Sequence, residues 1–424
     1  MKSKRFISRF LPVGALSVAL TLAIFPNADA QTTYVWDGGA DHSGTALGTA
    51  ANWNPDGVPT SSTLFGDTVQ WDGTAPGNLF LTYNATFGGS PTDRGLAVEL
   101  LPGQTGNVTI DNNDPSVARS FRVTNITVNS VGGLAFGNGS GSTITMTLQA
   151  AGGTMHTFTN NSANPLIFHS ETVINSSVSQ SLIFDGSGNS VVNGTITTAA
   201  STLTKNGTGT LTIAGSATYT GMTTVNAGTL VVGNGTSGSL RASVSVAGGT
   251  LMGSLAAGDN FLAATIGTGS GPAGSSIISA GTGENSTGRL SISRTLTLAS
   301  DSNFIFDLDS TAGMGDQVLV ANGTTIKPGA LFAFNFYGSG EGLSLNQTFT
   351  VIGGAGVLSG SEFSNLVAGQ VFDFGNYQFE ANDYLVDGYL AFTVTAVPEP
   401  STSLLIGSCI GLILLSIRRK TLSV

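Results

Sequence analysis

STLTKNGTGTLTIAGSATYTGMTTVNAGTLVV, residues 201–232, contains one phrase twice. Gly-Thr-Leu-Thr-Ile at 209–213 returns as Gly-Thr-Leu-Val-Val at 228–232, and Gly-Gly-Thr-Leu at 248–251 echoes both. The Gly-Thr-Leu phrases lie 19 and then 21 residues apart. A solenoid coil of about this length lays each phrase over the last, with leucines inward and threonines outward. Gly209, Gly228 and Gly249 then fall at corners, where positive φ is easy only for glycine.

The same period of two recurs elsewhere. Ile144, Met146 and Leu148 alternate with threonines; Phe304, Phe306 and Leu308 alternate, as do Phe332, Phe334 and Phe336, and Leu390, Phe392 and Val394. Such stretches predict half-buried strands. Gly137-Asn138-Gly139 and Gly233-Asn234-Gly235 punctuate them as turns. No segment between 31 and 396 has the pattern of an amphipathic helix. The prediction is an all-β body, a parallel β-helix (β-solenoid). Residues 288–395 have most of the phenylalanines and no repeat, so they either continue the solenoid or close it as a small sandwich.

Composition agrees with a β body. Of 424 residues, 59 are glycine and only 9% are charged, while 40% are hydrophobic, enough for a core. Exposed faces must therefore be built from Ser, Thr, Asn and Gly. Seven of the 15 basic residues and two of the 25 acidic ones lie in the terminal segments, which leaves a body near −15. Such a surface repels phosphate backbones and argues against nucleic acid as a partner. The single cysteine, Cys409, lies in the C-terminal apolar run. A disulfide scaffold, a cysteine nucleophile and thiolate metal sites are thereby excluded from the body.

Both ends read as export signals. Lys2, Lys4, Arg5 and Arg9 precede the apolar run Phe10 to Phe25, and Ala28-Asp29-Ala30 forms a small-x-small cleavage site. Residues 1–30 are expected to be a signal peptide with a helical apolar core, cut by signal peptidase before Gln31; the alternative is an uncleaved anchor. At the other end, Val397-Pro398-Glu399-Pro400 is followed by the apolar run Leu404 to Ile417 and by Arg418-Arg419-Lys420. The run predicts a short transmembrane helix with its basic cluster cytoplasmic. This tail, 396–424, resembles the PEP-CTERM sorting signal of bacterial exosortase substrates. The resemblance implies cleavage near the Pro-Glu-Pro motif by an exosortase-type membrane enzyme and release to the envelope, commonly alongside exopolysaccharide. The alternative is a permanent single-pass anchor.

Residues 203–232 resemble the autotransporter-associated β-strand repeat, through Leu203-Thr204-Lys205, Gly207, Gly209-Thr210-Leu211, Tyr219-Thr220-Gly221, Thr223-Thr224-Val225 and Asn226 to Leu230. That resemblance implies a right-handed parallel β-helix of a bacterial surface passenger. The series of membrane β-strands that ends a true autotransporter is missing from this sequence. The chain divides accordingly into a β-rich region at 31–180, a β-helix with the repeat at 181–255, and a second β region at 256–395. Leu290, Leu296, Asp316-Gln317 and Leu319-Val320 resemble the region that follows such repeats in related surface proteins.

Candidate chemistry is sparse. Trp36, Trp53 and Trp71 offer either a stacked platform for sugars or a hydrophobic cap on the first coil. His42, His156 and His169 have no metal-ligand spacing, so no metal and no cofactor is expected. Asp307 and Asp309 are expected to share one strand face, where like charges could hold calcium or raise a pKa; Asp111-Asn112-Asn113-Asp114 could also offer oxygens. The plainer reading is a solvated face and an Asx-rich turn. The chain is thus expected to be a non-enzymatic, secreted envelope or matrix protein associated with exopolysaccharide or adhesion, briefly held at the inner membrane by its tail. The alternatives are a carbohydrate-binding adhesin and a polysaccharide-cleaving β-helix enzyme.

Overall fold

The structure, a computed structural model, describes residues 31–397 apart from 60–65, 84–94, 113, 115, 117–118, 140–141, 149–154, 177, 257–258, 260 and 340–341. The expected signal peptide, with Ala28 and Ala30, lies outside the described residues. So do Pro398, Glu399, Pro400, the apolar run and Arg418 to Lys420. Among the described residues no helix is long and apolar enough to cross a membrane.

The body is built from short parallel strands stacked in ladders. The first ladder runs from Thr33–Trp36 through Thr68–Trp71 and Leu96–Leu100 to the long strand Arg119–Val128. That strand feeds two lines. Its C-terminal half pairs with Met155–Asn160, and this line continues to Leu358–Gly360. Its N-terminal half pairs with Ile144–Leu148, and that line continues to Ser239–Leu240. A second ladder stacks Leu79–Thr82 through Thr210–Ile213, Thr229–Val232 and Thr250–Gly253 up to Leu331–Tyr337. Where all lines coexist, one coil contributes three strands, as in Thr202–Lys205, Thr210–Ile213 and Ser216–Ala217.

The repeat stacks in the register its spacing predicts. Thr210 pairs with Thr229 and Thr229 with Thr250; Leu211, Leu230 and Leu251 do the same one residue on. The three leucines are fully buried. The column continues through Ile278, Phe304 and Phe332, so one inward position per coil builds a continuous core. The outer side of the first ladder presents Thr204, Thr224, Ser245, Thr265, Thr297 and Thr325 at one register, which is how a chain poor in charge makes a wettable face.

The corner glycines follow the expectation only in part. Gly228 has φ +65, but Gly209 and Gly249 lack positive φ. What excludes a side chain there is the coil below. A Cβ on Gly209 would lie 2.1 Å from the Gly188 carbonyl oxygen, and one on Gly249 2.6 Å from that of Gly228.

Both ends of the stack are closed by antiparallel strands. At the first coil Trp53–Asn54 pairs antiparallel with Thr33–Trp36, and Trp36 meets Trp53 directly. At the other end Arg289–Ile292, Gln317–Val320 and Thr348–Gly353 form a separate sheet whose edge is completed antiparallel by Leu390–Ala396, Tyr377–Ala381 and Val371–Phe374. Residues 288–395 therefore do both things left open by the sequence: they carry the parallel ladders on to Gly360 and then close them. Phe334 packs edge-on against Phe372 and Phe392 at 5.4 Å each, which fastens the closing sheet to the last strand of the second ladder.

Candidate functional site

The second ladder has an outer face, and on it lies a groove of about 650 Å³. Its floor is set by strand alternation. Leu211, Leu230 and Leu251 point inward, so Thr210, Thr229 and Thr250 point out, one per coil. Val231 also points out, between Leu230 and Val232, yet is only 4% exposed. Met252, Ile277, Ile305 and Ala333 continue the floor. The loop Thr282 to Asn285 forms a wall, with Asn285 in the left-handed region at φ +53.

Asp307 stands at the end of the floor. Phe304, Phe306 and Leu308 of its strand turn inward, so Asp307 turns out, but it is 3% exposed. The Asn335 amide on the next strand donates to Asp307 Oδ1 and also to Asn285 Oδ1 at 3.2 Å. Behind it lies Asp316, 1% exposed. The Ser279 hydroxyl is 3.3 Å from Asp307 Oδ2 and 3.3 Å from Asp316 Oδ2. The Asp307 amide donates to Asp316 Oδ2 at 3.2 Å, and the Gly288 amide to Asp316 Oδ1 at 2.9 Å. Burial, opposed by the Gly288 hydrogen bond and reinforced by the Asp307 charge, pushes Asp316 up to about 8. Burial raises Asp307 as well. Burial thus makes both carboxyls harder to ionise than an exposed aspartate.

This is not the carboxylate arrangement expected from sequence. Asp307 meets Asp316, not Asp309, whose Oδ1 accepts from the Thr311 and Ala312 amides in an exposed turn at 2.8 and 3.1 Å. Nor does it resemble two acids flanking a scissile glycosidic bond, because Asp316 is sealed away from the groove. Asp114 likewise sits in a local turn, accepting from the Ser116 amide at 3.0 Å, with Arg119 3.6 Å away.

The tryptophan platform is corrected by the structure. Trp36, Trp53 and Trp71 are 1%, 0% and 1% exposed. Trp53 lies 4.9 Å from Trp36 and 5.8 Å from Trp71, edge-on to both, and its indole N–H donates to the Leu47 carbonyl at 2.8 Å. No ring face is left for a sugar; the rings plug the first coil. His156 is buried, with Nδ1 2.8 Å from the Thr124 carbonyl and Nε2 against the Gln180 amide oxygen, and burial lowers its pKa. His42 Nδ1 lies 2.6 Å from the Asp37 carbonyl. Among the described residues no three His, Cys, Asp or Glu side chains gather as a metal site.

Sequence reasoning missed Ser279, Asp316 and Asn335 as partners of Asp307. The alternation of Phe332, Phe334 and Phe336 does place Asn335 on an outer face, but its registry with Asp307 is a property of the ladder.

A family model described as Passenger-associated-transport-repeat matches residues 203–232. No curated protein matches the chain, and no solved structure matches it. The matched segment contains Thr210-Leu211 and Thr229-Leu230, which stack in register on one another.

Proposed function

We propose that the chain is an exported cell-envelope or matrix protein whose body is a rigid, acidic β-solenoid, right-handed in its coil, and whose role is structural and adhesive rather than enzymatic. The in-register stacking of the repeat carries this reading. A solenoid of parallel rungs resists bending and offers long repetitive faces. The match to a passenger-associated repeat supports a secreted or surface location.

In this reading signal peptidase cuts after Ala30. An exosortase-type enzyme then acts near Val397-Pro398-Glu399-Pro400 while the apolar run and Arg418 to Lys420 hold the tail in the inner membrane. The body is handed to the outside, where it associates with exopolysaccharide. No cofactor takes part. The intact mass of the protein recovered from fractionated cells tests this. A species from Gln31 to about Pro400 in the released or outer fraction is expected. A species retaining Leu404 to Val424 in the inner membrane alone would overturn the sorting step.

A further inference from the structure

The geometry points to the groove on the outer face of the second ladder as a binding site for one strand of a neutral, hydroxyl-rich polysaccharide, anchored at its Asp307–Asn335 end. This rests on the envelope reading above and names the ligand class that the groove takes.

The floor alternates the two things a pyranose chain presents. Thr210, Thr229 and Thr250 supply a hydroxyl at every rung, roughly 4.8 Å apart in a β-ladder. Val231, Met252 and Ile277 lie among them and supply apolar contact for ring C–H faces. Each threonine hydroxyl can both donate and accept, which matches sugar hydroxyls and no fixed charge.

The anchored end supplies direction. Asp307 Oδ1 accepts from Asn335, and Oδ2 only shares the Ser279 hydroxyl with Asp316 Oδ2 and the Ala280 carbonyl, so each oxygen keeps a lone pair for a sugar hydroxyl. Asn335 is held by Asp307 and Asn285 and is thereby oriented before any ligand arrives. The wall that carries Asn285 exists because this coil is longer than its neighbours. Val244 pairs with Ala264, but Ala264 pairs with Leu296. Part of the extra length is the loop that overhangs the floor.

Charge and backbone exclude the competing ligands. No lysine or arginine lines the groove, and its charged residues are Asp307 and Glu284. Uronate or sulfated polymers would be repelled. A peptide strand needs a free sheet edge for its backbone groups. Here the floor is a sheet face whose N–H and C=O groups are spent in the ladders.

The test is ligand-observed NMR titration of the full chain with hexasaccharides of glucose, mannose and galactose, beside oligogalacturonate of the same length. At least one neutral hexasaccharide is expected to bind, and oligogalacturonate is not. Thr250→Arg blocks the floor at a partly exposed position and should weaken binding at least tenfold with an unchanged melting temperature; Asn335→Ala removes the anchor and should weaken binding at least tenfold while lowering the melting temperature, because it orphans the buried Asp307 Oδ1. Failure of all three neutral sugars to bind, preference for oligogalacturonate, or binding undiminished in both folded variants would overturn the site. If Asn335→Ala fails to fold, Thr250→Arg decides alone. The envelope reading fails separately, through the mass and location of the processed chain: a correctly processed, released protein that binds no neutral sugar refutes the groove only.

Discussion

Lys205 occupies an inward position on Thr202–Lys205 and is 3% exposed. An ammonium there survives because its Nζ donates to carbonyls of its own turn, Asn206 and Gly207, the latter at 2.8 Å, and reaches Ala227 of the next coil at 3.4 Å. Burial lowers its pKa to about 8. Lys205→Met keeps the apolar stem and orphans those carbonyls, at a cost of about 1–3 kcal/mol. The urea midpoint should fall accordingly; an unchanged midpoint would mean that the turn is satisfied without the lysine. Asp316 gives a pH signature of its own. Its folded pKa, about 8, lies above the ordinary carboxylate value of 3.8. A raised carboxyl contributes stability that is full below about pH 4, declines as pH rises toward 8 and is lost above it. Asp316→Asn should remove that slope. Between pH 4 and pH 8 the variant should gain on the wild type by on the order of 5 kcal/mol. Thermal melts of both proteins at pH 4, 6 and 8 check this, and parallel curves would show that Asp316 is not buried with its proton.

Single strands here are too short to hold themselves; each is held by the rung above and below. Leu230 has Leu211 on one side and Leu251 on the other and is fully buried. Leu230→Ala should cost about 2–5 kcal/mol, because the neighbouring coils are fixed by backbone ladders and cannot close the cavity. Thr229→Ala, one residue away on the outer face, should cost far less, since its side chain faces outward. Denaturant titration of the two variants separates the inward from the outward reading; equal losses would contradict the alternation. This much was legible in the sequence, because a strand period of two and a coil of about constant length leave their mark at fixed positions. Regularity ends outside the repeat. Thr33 pairs with Thr68 and Ala264 with Leu296, so the number of residues per coil changes and no spacing could have announced those partners. The Asp307–Asp316 pair was hidden for the same reason: Ser279, which joins them, arrives from a different coil. The glycines misled in a narrower way. A Gly-Thr-Leu phrase marks a corner, but only the stacked neighbour reveals whether glycine serves positive φ, as at Gly228, or close backbone approach, as at Gly209.

A stack of parallel strands has two open ends, and an open β edge invites another chain. The tryptophans could be read from sequence as a platform or a plug, since residue type does not say which way a ring turns. In the fold Trp53 is wholly buried between Trp36 and Trp71, on the short antiparallel strand that pairs with Val35 and Trp36. The plug therefore has a consequence for the whole rod. Trp53→Ala removes the ring and its hydrogen bond to Leu47, a loss of about 3–5 kcal/mol concentrated in the first coil. Ladders farther along, around Leu211 to Leu251, do not touch that coil and should stay formed. The expected result is local fraying that bares Thr33–Trp36, followed by end-to-end association. Sedimentation velocity at increasing protein concentration should show the variant growing while the wild type keeps one coefficient. Hydrogen exchange should show lost protection at 33–36 and 68–71 and retained protection at 210–213 and 229–232. A variant that unfolds along its entire length at once would mean that the solenoid is a single cooperative unit. A variant that frays and stays monomeric would mean that the acidic surface, not the plug, keeps the ends of the rods apart.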